Sequence, residues 1–196
     1  GPEAELHNRE VFQELYEVMK LSWKDEPFSF NGKYYQAPFP AGGHDWPPHE
    51  ATRRYGAPGE VDEKGWLHQI SPVPKPYQKP HPPLFQALTT NEETIRWTAR
   101  EGIVPMMFLP FPDLAIKGAS FYTEAANEAG HDLRLGQNVG LARFVYVAKT
   151  REEAMRRAHN GAIFLFSRFH AKFAPEIPTT IEPLIDAGIA FVGTVD

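Results

Sequence analysis

Apolar and polar positions follow two different periods along this chain, and a stretch that follows neither separates them. Phe12, Leu15, Met19 and Trp23 fall at i, i+3, i+7 and i+11 with Glu, Gln and Lys between them, which predicts an amphipathic helix closed at Asp25-Glu26-Pro27. In the next nine residues, FSFNGKYYQ (28–36), aromatics flank Asn31-Gly32, the strongest short hairpin signal, so a small hairpin is predicted there. Residues 37–83 keep neither period: eleven of the 19 prolines lie there, among glycines and isolated tryptophans. So long a stretch without a period predicts a surface insertion without regular structure, pinned by Trp46, Tyr55 and Trp66.

Regular patterning returns at Leu84. A short apolar run, 84–88, is followed by a helical pattern over 92–101, Gly102, and a second apolar run over 103–108. A helix over about 117–129 stops at Gly130, and a third run over 139–148 leads into Thr150-Arg151-Glu152-Glu153, a capping box opening a helix to about Phe169. The strands are too apolar to carry a wet face, so the repeat predicts an α/β fold with a parallel sheet or barrel. The final FVGTVD, 191–196, reads as the start of another helix.

The junction between the first run and its helix carries the clearest chemistry. The run stops at Thr89-Thr90-Asn91 and turns at once into a helix, so free N–H groups and the positive end of the helix dipole face outward together. That arrangement is an anion site, suited to the phosphate of a cofactor. The bland alternative is a capping box in which Glu93 pairs back to Thr90.

Composition narrows the classes. A net charge of −5 without a basic stripe argues against a nucleic-acid partner. No apolar run approaches the length of a membrane span, and no basic, apolar leader opens the chain. With no cysteine there is no thiolate nucleophile, and a cytoplasmic location is expected. His44, His49 and His68 lack the spacing of a zinc site, so no metal is expected. His81 is read as packing the lead-in to the first run, His131 as favouring a helix C-terminus, and His159 and His170 as solvated or packed. Arg143, inside the third run, needs a partner and is read as half of a structural ion pair. Gln86 would reach either a cofactor or a neighbouring strand, and Met106, Met107 and Phe108 read first as core, although the strand's C-terminal end, Phe108 and Leu109, would face the active-site mouth in a barrel. No Ser/His/Asp triad, Walker loop or GxGxxG is present.

Trp23, PFSFNGKYY (27–35), PKPYQKPHPP (74–83), TTNEETIRWTAREG (89–102), EAGHD (128–132), VYVAKTREEA (145–154) and FVGT (191–194) occur in this order. In that order they resemble the bacterial luciferase-like monooxygenases, flavin-dependent enzymes on a (β/α)8 TIM-type barrel. The resemblance covers nearly the whole chain outside an insertion at about 37–73, and it implies a single domain holding part of a barrel, about strands five to seven. It implies that Thr89, Thr90, Asn91 and Thr94 grip the phosphate of reduced FMN, with Asn91 standing where many members have Ser. Since a full barrel needs about 250 residues, the first four strands with the family's catalytic histidine, and the last strand, are expected to be missing; no catalytic residue is assigned. The implied reaction is oxidation of a small organic substrate by O2 and reduced flavin, or in some relatives hydride transfer by a deazaflavin. A flavin reductase as supplier and a dimer are the implied partners.

Overall fold

The computed structural model describes residues 2–88, 91–109, 111–169 and 178–195. The chain divides into two compact units, Gly1–Pro82 and Pro83–Asp196.

The first unit opens with helix α1, Pro2–Ser22, as its apolar period predicts. The hairpin follows, with β1 (Phe30–Asn31) antiparallel to β2 (Gln36–Ala37). Its turn differs from the expected two-residue Asn-Gly type. Asn31 pairs with Gln36, and the loop 32–35 is closed by the Gly32 N–H donating to the Tyr35 carbonyl at 2.9 Å. The cause is tertiary: Glu14 of α1 accepts the backbone N–H of Lys33 at 3.0 Å and those of Tyr34 and Tyr35 at 2.7 Å each. Glu10, one turn earlier, accepts from Lys33 Nζ at 2.8 Å and the Tyr34 hydroxyl at 2.6 Å.

Residues 37–83 are more ordered than their composition suggests. Strands β3 (His44–Asp45) and β4 (Trp66–Leu67) pair antiparallel, and helix α2 (His49–Tyr55) lies between them in sequence. Gly43 makes the pairing possible, since its φ is 92° and a Cβ there would stand 2.0 Å from the Leu67 carbonyl oxygen. Trp46 is anchored by its Nε1–H on Thr52 Oγ1 at 2.9 Å, and Trp66 by its Nε1–H on the Gly42 carbonyl at 3.2 Å. Tyr55 is 77% exposed and pins nothing. A buried carboxylate does that work instead: Glu60 accepts the N–H groups of Ala57 and Ser71 at 2.7 Å each.

The second unit is parallel α/β. Strands β5 (Phe85–Leu88), β6 (Val104–Phe108) and β7 (Gly140–Ala142) form one parallel sheet in that order, and β8 (Phe144–Ala148) pairs in parallel with β9 (Ala190–Thr194). The connections hold α3 (Glu92–Arg100), α4 (Pro112–Glu128), α5 (Arg151–Ala158), a π-helical turn (His159–Ile163), α6 (Phe164–Arg168) and α7 (Glu182–Asp186). Helix α4 starts earlier than periodicity indicates because Pro112 and Asp113 suit a first turn. The closing segment is not the start of a helix: Ala190–Thr194 is a further strand, β9, fully registered against β8 from Phe144↔Ala190 to Ala148↔Thr194. No local pattern marks this segment as a strand, because its partner lies over forty residues away in sequence. Among the described residues the strands form sheets and no closed barrel.

Burial assigns a face to each strand. The Thr98 hydroxyl of α3 donates to Gln86 Oε1 at 3.0 Å, so Gln86 faces the helices. Met107 is buried with its terminal methyl against Gly118 of α4. Ile95, Ala99, Tyr122, Ala125 and Ala126 fill the space between α3 and α4, and the Tyr122 hydroxyl donates to the Ile103 carbonyl at 3.1 Å. Phe144 and Tyr146 of β8 pack on a second cluster of Ala158, Ala162, Ile181, Leu184, Ile189 and Ala190. In a regular strand Ala142 and Phe144 would share a face. Here they do not, because Arg143 sits between β7 and β8 like the extra residue of a bulge, its guanidinium donating to the Ala142 carbonyl at 2.8 Å. The opposite face is open: Phe85 is 65% exposed, Phe108 57%, Val145 64% and Phe191 57%.

Candidate functional site

Ligands of parallel α/β folds bind at the C-terminal ends of the strands, where loops meet helix N-termini. In the second unit that edge is formed by Leu88, Phe108, Ala148 and Thr194. Of the four expected phosphate residues, Thr89 and Thr90 lie outside the described residues. Asn91 and Thr94 are described, and they are brought together. Asn91 is the N-cap of α3, with extended backbone (φ −70°, ψ 116°). Its Oδ1 accepts the Thr94 N–H at 3.0 Å and the Thr94 hydroxyl at 3.1 Å. Two donors of one residue thus converge on a single acceptor oxygen at a helix N-terminus, which is the donor set that a phosphate oxygen requires. Asn91 caps α3, and the Thr90 of the alternative capping box lies outside the described residues.

Glu92 and Glu93 in the first turn carry charge of the wrong sign for a phosphate. Glu92 is engaged away from the terminus: Arg96 Nε donates to it at 2.8 Å, and Arg96 also binds Glu124 of α4 at 2.9 Å. Glu92 first, and Glu124 after it, hold the Arg96 guanidinium above its ordinary pKa. The guanidinium also lies 5.1 Å over the Phe121 ring. The residues present therefore fit a phosphate group at this terminus.

The neighbouring strand end has its own signature. Leu109, directly after β6, has φ 47°, a left-handed conformation that is unfavourable for leucine. Its side chain packs with the second core cluster. A cavity of about 560 Å³ lies at the ends of β8 and β9, lined by Val147, Ala148, Lys149, Glu153, Arg157 and Val195. One of about 570 Å³ in the first unit is lined by residues that include Asp25, Tyr55, Glu60 and Lys75.

The remaining chemistry-bearing residues are structural. Trp23 and His81 pack ring to ring at 5.3 Å, and the His131 N–H closes α4 on the Ala126 carbonyl at 3.0 Å. His49 contacts the Trp46 carbonyl and His68 contacts Asp62, both at 3.0 Å. Among the described residues no three His, Cys, Asp or Glu converge on a possible metal site. His170 lies outside the described residues. The Tyr146 phenol faces the helices, where burial pushes its pKa up. The sequence places Leu109 at a strand's C-terminal end, but nothing in the order Phe-Leu-Pro marks its positive φ.

A family model described as luciferase-like monooxygenase matches residues 6–182. The uncharacterised protein y4wF of Sinorhizobium fredii is 25% identical over 146 residues, covering 69% of this chain and 42% of its own. The monooxygenase RslO1 from Streptomyces bottropensis superimposes with a TM-score of 0.64 at 20% identity, over 95% of this chain and 46% of that one. A type II Baeyer–Villiger monooxygenase in complex with FMN, the oxygenating constituent of 3,6-diketocamphane monooxygenase from Pseudomonas putida, gives 0.63 at 25% identity, over 95% and 50%. The chain thus spans about half the length of the solved relatives, and less of y4wF.

Proposed function

This chain belongs to the luciferase-like monooxygenase family, and from that premise we propose that it provides the phosphate grip of a flavin-dependent monooxygenase acting on a small organic substrate. The carrying observation is the convergence of the Thr94 N–H and hydroxyl on one oxygen at the N-terminus of α3. In this reading Thr89, Thr90, Asn91 and Thr94 hold the phosphate of FMN, and the Asn91 side chain yields its two hydrogen bonds to a phosphate oxygen. The FMN complex of the P. putida relative supports FMN over a deazaflavin, whose phosphate the same donors would also accept. When bound, the reduced flavin would supply the electrons that reduce O2, with one oxygen atom passing to the substrate and the other to water. The chain's own residues bind the phosphate, fix the cofactor's position and exclude water at the strand ends. The remaining barrel strands, the proton-transfer groups, a dimeric assembly and a reductase supplying the flavin belong to the same proposal.

Titrating the protein with FMN while following flavin fluorescence tests it. Wild type is expected to bind, and Asn91→Ala with Thr94→Ala to bind at least about tenfold more weakly, the loss of one charge-assisted hydrogen bond or more. Equal affinity of wild type and double variant would rule out this phosphate site.

A further inference from the structure

The N-terminus of α3 accounts for one end of a flavin and leaves open where the chain receives the other. Strand register answers this. Leu88, the last residue of β5, lies beside Met107 of β6, so Phe108 stands one step beyond it, on the adjacent strand and nearest the start of the loop into α3. Neighbouring strands run about 4.8 Å apart, well within the length of a flavin. The side chains at that end divide sharply. Met107 is buried on the helix side against Gly118, while Phe108 projects from the open face and is 57% exposed.

The turn after Phe108 is held in place. Leu109 adopts φ 47° while its side chain is packed against the cluster of Ala158, Ala162, Ile181, Leu184, Ile189 and Ala190. A left-handed backbone is unfavourable for leucine and persists only where its surroundings impose it. Here the second core cluster imposes it, and the consequence is a fixed position for the aromatic ring that precedes it. Phe108 shares its face with Ala142, its register partner on β7, and with the Ala87–Met106 pair two residues back on β5 and β6, all of them small or apolar. A charged or strongly hydrated group gains nothing on such a surface, whereas a flat, uncharged ring system does.

We propose that Phe108 is the chain's ring-contacting residue, packing against the isoalloxazine of the flavin whose phosphate is held at Asn91 and Thr94, with the strained Leu109 turn holding it there. The inference rests on the flavin reading and goes beyond it by assigning a residue to the ring.

Phe108→Trp tests it by a signal that does not depend on turnover, because an indole in contact with a flavin ring quenches its emission. FMN bound to F108W is expected to lose most of the emission retained by FMN bound to wild type. Phe108→Leu, which keeps apolar volume but removes the ring, is expected to weaken FMN binding about three- to tenfold without changing competition by inorganic phosphate. Failure of wild type to bind FMN would sink the phosphate reading and this inference together. Binding by wild type with undiminished emission in F108W, or undiminished FMN affinity in F108L, would sink this inference alone.

Discussion

At Gly161, in the π-helical turn, a Cβ would stand 2.5 Å from the Tyr146 hydroxyl oxygen, and Tyr146 is itself packed against the second core cluster. Gly161→Ala is therefore expected to overpack that contact and cost about 1–3 kcal/mol, read as a lower thermal midpoint. Asn91→Ala removes the cap of α3 and is expected to cost about 1 kcal/mol in chemical denaturation, apart from any effect on ligand binding. Asp62 offers a pH signature. Its carboxylate accepts from His68 Nε2 and from the Trp66 and Lys64 N–H groups, which together hold its pKa down to about 2, against 3.8 ordinarily. A depressed carboxylate stabilises the fold fully above its unfolded pKa. The contribution is lost as pH falls from about 3.8 towards about 2. Asp62→Asn should accordingly flatten the acid limb of a stability profile in that window; an unchanged limb would remove Asp62 as its source. At this scale the N-cap role of Asn91 was legible, because a small polar residue before an acidic first turn satisfies free N–H groups within one turn of itself. The partner of Gln86 was not, since alternation along a strand does not say which face meets the helices.

Between elements, the hairpin shows how a local rule is overridden. Asn-Gly favours a two-residue turn, but a carboxylate of α1 accepts three consecutive N–H groups and stabilises a wider loop instead. Burial pushes the Glu14 carboxyl up, yet the Tyr35, Tyr34 and Lys33 N–H groups outweigh it and hold the pKa below its ordinary 4.5. Glu14→Ala is expected to speed amide exchange at Lys33, Tyr34 and Tyr35 by about tenfold or more, leaving the β3–β4 ladder unchanged. Unaltered exchange there would mean the hairpin closes without α1. Helices α3 and α5 were readable because Asn91 and Thr150 cap them locally. Strand β9 was not, because a parallel strand takes its hydrogen bonds from a remote partner that no window of sequence contains.

For the molecule as a whole, the open strand face has the largest consequence. Phe85, Phe108, Val145 and Phe191 leave far more apolar surface uncovered than scattered surface residues do. The 196-residue chain by itself is expected to bind a hydrophobic dye and to associate with rising concentration, and Phe85→Lys with Val145→Lys and Phe191→Lys to suppress both. A monodisperse wild type without dye binding would mean that this face is covered. By itself the sequence determined the parallel α/β class, the helices with local caps, the family resemblance and the strand-to-helix junction at Asn91. Each of these depends on periodicity or on residues within a turn of one another. Tertiary structure alone decided that Ala190–Thr194 is a strand, that Gln86 faces helices, that Arg143 switches the exposed face between β7 and β8, and that Leu109 is strained beside Phe108. Those outcomes depend on packing and hydrogen bonding between residues distant in sequence, whose energies enter only when the elements meet.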